Sequence, residues 1–240
     1  MPQNKQTLVQ HFTELRRRVL WTLLFFACAF GAGFLVSPYV QDFLLQPLIN
    51  VLSDGVVIYT RLTDGLFIEF SLATLFAIFA TLPVALWHLW SFASPGLRDT
   101  ERGLIKPVLF LSPALFLLGA AFAYFILFPV AFKFFIGLNN ASGAPSMLLP
   151  AMPDYLAFVI GMLKIFGLAF QLPLVLVVLN RIGILSRSAV TKSRRFAIVG
   201  IFIMAAILTP PDILSQILLA LPMLALFEIS ILFMREEIRD

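Results

Sequence analysis

His11, Glu14 and Arg18 follow one another at i, i+3 and i+7, on the polar side of a stretch whose Leu8, Phe12, Leu15 and Val19 form an apolar stripe. This spacing predicts a short interfacial helix that holds Glu14 in water close to a membrane surface. Taken alone, that carboxylate is expected to pair with Arg18 at i, i+4 and support the helix by ~0.3 kcal/mol. A zinc site at His11 and Glu14 is excluded, because two ligands lack a third and the neighbouring cations oppose a metal. A second polar segment, Ser91 to Arg102, turns at Pro95-Gly96 and restarts a helix that Asp99 or Thr100 could cap. Glu101, with the loop considered in isolation, is then a first-turn acid facing the helix dipole. Lys164 and Gln171 stand two turns apart on nearly one face of an apolar run, where polar groups are costly unless paired; they read equally as interhelical glue and as a partner-binding face. Glu69 and Glu228 lie near span ends and can reach headgroups. With no phosphate-binding loop, no His-Glu-x-x-His and no pair of intramembrane aspartates, neither enzyme activity nor a cofactor or metal is expected.

The elements that must position these groups are membrane helices. Hydrophobic residues make up 60% of the chain and charged residues 12%, against roughly 45–50% and 25% in a soluble domain. The apolar runs are continuous, which selects helices over a barrel. They predict an all-α, polytopic, curved six-helix bundle with spans at about 19–36, 66–90, 107–136, 154–179, 196–208 and 213–233. The last two are short and are parted at Thr209-Pro210-Pro211-Asp212. Prolines 83, 113, 129, 173 and 222 fall within spans and each should bend its helix. No linker divides the chain, so residues 1–240 are expected to form a single integral membrane domain.

Orientation follows from the cations. Lys5 and Arg16 to Arg18 precede the first span; Arg98, Arg102 and Lys106 follow the second; Arg181, Arg187, Lys192, Arg194 and Arg195 follow the fourth. The loops from Pro38 to Gly65 and Gly137 to Pro153 hold Arg61 as their one cation. Both termini are therefore expected in the cytoplasm. The formal charge of +4 reflects topology and not nucleic-acid binding. Arg16 to Arg18 followed by Ala27-Cys28-Ala29 mimics a cleavable leader, but the apolar run continues through Val36, as an anchor does. Trp87, His88 and Trp90 are expected to sit at the interface, and Cys28 to be a small packing residue.

Taken together, these segments resemble the TatC family, the core subunit of the twin-arginine protein translocase. His11-Phe12-Thr13-Glu14-Leu15-Arg16 is similar to its H-L-x-E-L-R, with Phe12 in place of Leu, and Phe92 to Glu101 to its F-x-x-P-G-L-x-x-x-E. Phe122 to Phe125 with Pro129, Phe166 to Pro173, and Thr209 to Asp212 with Ser215-Gln216 resemble further family segments in order. The resemblance implies a receptor in the bacterial cytoplasmic membrane for twin-arginine signal peptides of folded proteins. It implies TatA-type and TatB-type single-span partners, homo-oligomers within a larger complex, and export driven by the proton motive force. Adjacent arginines on an extended peptide point to opposite sides, so two carboxylates are needed; Glu14 and Glu101 are assigned to them, with Arg16, Phe92 and Pro95 shaping the pocket. Gln171 stands where the family often has Glu, so it can hydrogen-bond a partner but cannot titrate. Lys164 matches no family role; Pro47, Asp212 and Gln216 match outer-side positions and are assigned to structure or partner contact. A secondary solute transporter using Lys164 and Gln171, and a scaffold without affinity for signal peptides, are the competing readings.

Overall fold

The computed structural model describes residues 8–52, 57–93, 103, 105–141, 149–208 and 213–236. Among them, nine α-helices occur: α1 Leu8–Ile49, α2 Asp64–Ala93, α3 Ile105–Phe122, α4 Phe128–Ala141, α5 Met152–Ala169, α6 Leu172–Arg181, α7 Arg187–Lys192, α8 Arg194–Leu208 and α9 Ile213–Phe233. The only extended pairing among the described residues is an isolated bridge between Ile58 and Ala151. Among the described residues, five helical stretches are long and apolar enough to cross a membrane: Phe12–Ile49, Asp64–Leu89, Pro107–Gly137, Met152–Arg181 and Gln216–Phe233. α8 has 15 residues, about 22 Å, short of a ~30 Å hydrocarbon core.

Where a short interfacial helix followed by a span from residue 19 is expected, the structure has one helix of 42 residues. At ~63 Å it is about twice as long as the hydrocarbon core is thick. No glycine or proline separates Leu8 from Val19, so nothing in the sequence interrupts it.

Proline effects differ by site. The third run breaks into α3 and α4 through one π turn, Ala123–Leu127, in which the Phe128 N–H donates to the Ala123 carbonyl. Pro129 follows directly; lacking an N–H, it cannot complete the regular ladder there. The fourth run breaks into α5 and α6 at Phe170 and Gln171, just ahead of Pro173. α2, α3 and α9 run on through Pro83, Pro113 and Pro222.

The described residues form two compact units, one within Met1–Gln41 and Gly65–Pro113, the other within Asp42–Asp64 and Ala114–Asp240. In the first, α1 and α2 run antiparallel in close contact. Gly33 faces Ala73, Ser37 faces Glu69, and Ala29 and Ala77, one turn further along each helix, are buried. Small residues at four-residue spacing let two membrane helices approach in this way. Phe30, Phe34 and Phe70 close the flank, with ring centroids 5.1 to 5.9 Å apart.

In the second unit, Gly119 lies directly against the Phe166 backbone, and the rings of Phe122, Phe166 and Phe170 gather beside it. α9 packs on α6 and α8. Asn180 ties the end of α6 to the end of α9, accepting from the Arg235 N–H at 2.8 Å and donating to the Leu185 carbonyl at 2.9 Å.

Candidate functional site

Glu14 and Arg18 are one turn apart on α1, and the predicted pair is formed. Arg18 Nε donates to Glu14 Oε1 at 3.0 Å and a terminal guanidinium nitrogen donates to the same oxygen at 2.5 Å. Both side chains are about a quarter exposed, so the pair is a partly hydrated one of the kind that contributes ~0.3–0.5 kcal/mol. Glu14 is thus held in an orientation that receives a guanidinium, by a bond weak enough to exchange.

Arg18 also belongs to a hollow of about 220 Å³ between α1 and α2, lined by apolar side chains that include Leu15, Leu23, Leu89 and Phe92, with Thr22 and His88 as its other polar members. The Thr22 hydroxyl and His88 Nδ1 each lie 3.0 Å from the Arg18 carbonyl oxygen. His88 Nδ1 also lies 3.3 Å from the Thr22 hydroxyl, so ring, hydroxyl and Arg18 carbonyl form one polar cluster. His88 therefore does more than sit at the interface: it fastens α2 to the turn of α1 that carries Arg18.

The predicted members of this site are not all brought together. Phe92 lines the hollow. Arg16 does not; it lines another surface with Thr13, Arg17, Leu20, Trp21 and Leu24, because two residues along a helix turn by ~200°. Pro95 and Glu101 lie outside the described residues, as does Asp212. Lys164 is half-buried on α5, and among the described residues it makes no ion pair. Gln171 stands at the break where α5 ends, its N–H donating to the Leu168 carbonyl, so the two do not share one continuous helix face. Gln216 Nε2 donates to the Phe202 carbonyl at 3.1 Å and joins α9 to α8.

Residues 10–222 match the family described as Sec-independent protein translocase protein (TatC). The chain belongs to the TatC family. A Sec-independent protein translocase protein TatC from Magnetococcus marinus is 36% identical over 234 residues, 97% of this chain and 85% of that one. Its counterpart in Escherichia coli is 35% identical over 234 residues, 97% of this chain and 90% of the other. The crystal structure of a twin-arginine translocase receptor, TatC, superposes with a TM-score of 0.82 at 34% identity, covering 93% of this chain and 97% of that chain. The same receptor in DDM gives 0.83, with 94% and 99% covered.

Two features of this TatC chain escape a reading by apolar runs. Pro47 lies inside α1 and deprives the Phe43 carbonyl of its helical donor. The Tyr124 hydroxyl supplies it at 2.7 Å, and the two rings stack with centroids 4.3 Å apart. Tyr155 donates to the neighbouring Leu44 carbonyl at 2.6 Å. The second feature is the contact of Ser37 with Glu69, which joins α1 to α2. A proline with an acceptor four residues before it is the signal that finds both places.

Proposed function

We propose that this TatC chain is the signal-peptide receptor of a twin-arginine translocase, with six spans in a single membrane domain and both termini in the cytoplasm of a bacterial cell. Glu14 and Glu101 bind the paired arginines, and the hollow beside Phe92 takes apolar side chains of the peptide. The observation that carries the reading is the Arg18 guanidinium on Glu14 Oε1, an internal occupant of the kind the peptide would bring. A peptide arginine exchanges one charge-assisted pair at Glu14 for another, displacing Arg18 from a partly hydrated contact of low cost.

Arg16 contributes positive charge at the same end of α1, and Pro95 shapes the loop that presents Glu101. The inter-loop bridge of Ile58 with Ala151 supports the assignment of the second and fourth apolar runs' leading loops to one outer side. Gln216, Gln171, Lys164, Pro47 and Asp212 serve assembly: Gln216 and Pro47 through the intramolecular bonds described above, Gln171, Lys164 and Asp212 as contacts for TatA-type and TatB-type subunits and for other copies of this chain. Export then draws on the proton motive force.

Photocrosslinking of a twin-arginine signal peptide to the solubilised protein tests the reading. Wild type should crosslink; Glu14→Gln, Glu101→Gln and a twin-lysine peptide should each reduce it by about tenfold or more with the fold intact. Absence of crosslinking to wild type, with its partners present, rejects a receptor.

A further inference from the structure

Pro38 sits within α1 and has no N–H to give the Phe34 carbonyl four residues earlier. An apolar surrounding offers no water in place of that donor. The Ser37 hydroxyl does: its Oγ lies 3.0 Å from the Phe34 oxygen. Since a carbonyl cannot donate, the proton in that bond belongs to Ser37.

The same Oγ is hydrogen-bonded to Glu69 Oε2. A serine hydroxyl has one proton and two lone pairs. With the proton given to Phe34, Oγ can meet Glu69 only as an acceptor, and the proton in the second bond must come from the carboxyl. Both bonds coexist when Glu69 is a carboxylic acid. When Glu69 is a carboxylate, Ser37 must turn its proton toward it and leave the Phe34 carbonyl bare in an apolar surrounding, where an unmet polar group is costly.

We infer that Ser37 and Glu69 form a proton-binding site between α1 and α2. Binding adds one proton to the Glu69 carboxylate and rotates the Ser37 hydroxyl from Glu69 to Phe34; release reverses both. Ser37 is fully buried, and one turn away Gly33 is in contact with Ala73, so the hydroxyl has these two acceptors to choose between. Glu69 is half-buried and five residues from the start of α2, ~7.5 Å along the helix, which leaves it a short route to the aqueous side on which α2 begins.

Among the described residues no cation pairs with Glu69. The charged groups on the two helices nearest to the pair are Asp42, five residues beyond Ser37, and Asp64, five before Glu69. Each is turned by ~140° from the contact, and Asp64 is engaged by Thr60 and Arg61. The site therefore takes a proton rather than a metal or an ammonium group.

Infrared difference spectroscopy of the full chain in lipid nanodiscs, stepped in pH, tests this directly. Wild type should show a protonated-carboxyl stretching band that is lost in Glu69→Gln, a variant whose amide still bonds Ser37. Ser37→Ala should keep the band and shift it to higher frequency, having lost its hydrogen bond. Pro38→Ala returns an N–H to Phe34, frees the hydroxyl to donate to the carboxylate, and should weaken the band at the same pH. Circular dichroism confirms folding of each. A band set unchanged by Glu69→Gln, or a Glu69 band indifferent to Pro38→Ala, overturns the inference.

Discussion

Gly33 is pressed against Ala73: a methyl group at position 33 would stand 2.8 Å from both the Cα and the carbonyl oxygen of Ala73. The obstacle is helix backbone, which cannot step aside as a flexible side chain does. Gly33→Ala should therefore force α1 and α2 apart and destabilise the chain by about 1–3 kcal/mol. Gly31, with nothing within 4 Å of the same imagined methyl, is the control. Thermal unfolding in detergent should show Gly33→Ala melting lower than wild type, and Gly31→Ala no lower.

Tyr124→Phe removes the hydroxyl that meets the Phe43 carbonyl and keeps the stacked ring. An acceptor left bare in a buried place costs about 1–3 kcal/mol. In a Pro47→Ala background the helix offers its own N–H, so the same substitution should cost less. Denaturation of the four proteins of this cycle measures the coupling, and strictly additive effects would disprove the proline repair.

Arg18→Gln leaves Glu14 without its internal partner. Stability should change by no more than about 0.5 kcal/mol. Affinity for a twin-arginine peptide should hold or rise up to about twofold, since the competing pair is gone. Glu14→Gln should weaken the peptide by about tenfold or more, the value of a charge-assisted hydrogen bond. Fluorescence anisotropy with a labelled peptide distinguishes them, and equal losses in both variants would show that Arg18 is a ligand rather than a competitor.

Gln216→Ala breaks the bond to the Phe202 carbonyl, whose place in the α8 ladder is independent of it. A stability loss of about 0.5–1.5 kcal/mol is expected. If the amide also docks a partner helix, crosslinking to single-span subunits should fall further than Gln216→Glu reduces it, because glutamate retains an acceptor.

Much of the fold is written in one dimension. Uninterrupted apolar runs mark the membrane helices, and the Glu14–Arg18 pair follows from one helical turn. Prolines are harder to read, because their effect depends on what stands across from the carbonyl they release. Pro38 and Pro47 leave α1 whole, since Ser37 and Tyr124 repair them; Pro129 and Pro173 follow interruptions instead. Ser37 with Glu69, and His88 with Arg18, depend on the antiparallel register of α1 and α2, which no local pattern contains. Arg16 shares a motif with Glu14 but lies round the helix from it.

The bridge between the two loops at Ile58 and Ala151 is made wholly of main chain: the Ile58 N–H donates to the Pro150 carbonyl at 3.0 Å, and the Met152 N–H to the Ile58 carbonyl at 2.8 Å. Such a clasp is indifferent to the identity of the side chains that flank it. Most side chains can therefore be exchanged at these positions without loosening it, and the one kind of change barred at 58 and 152 is an imino acid.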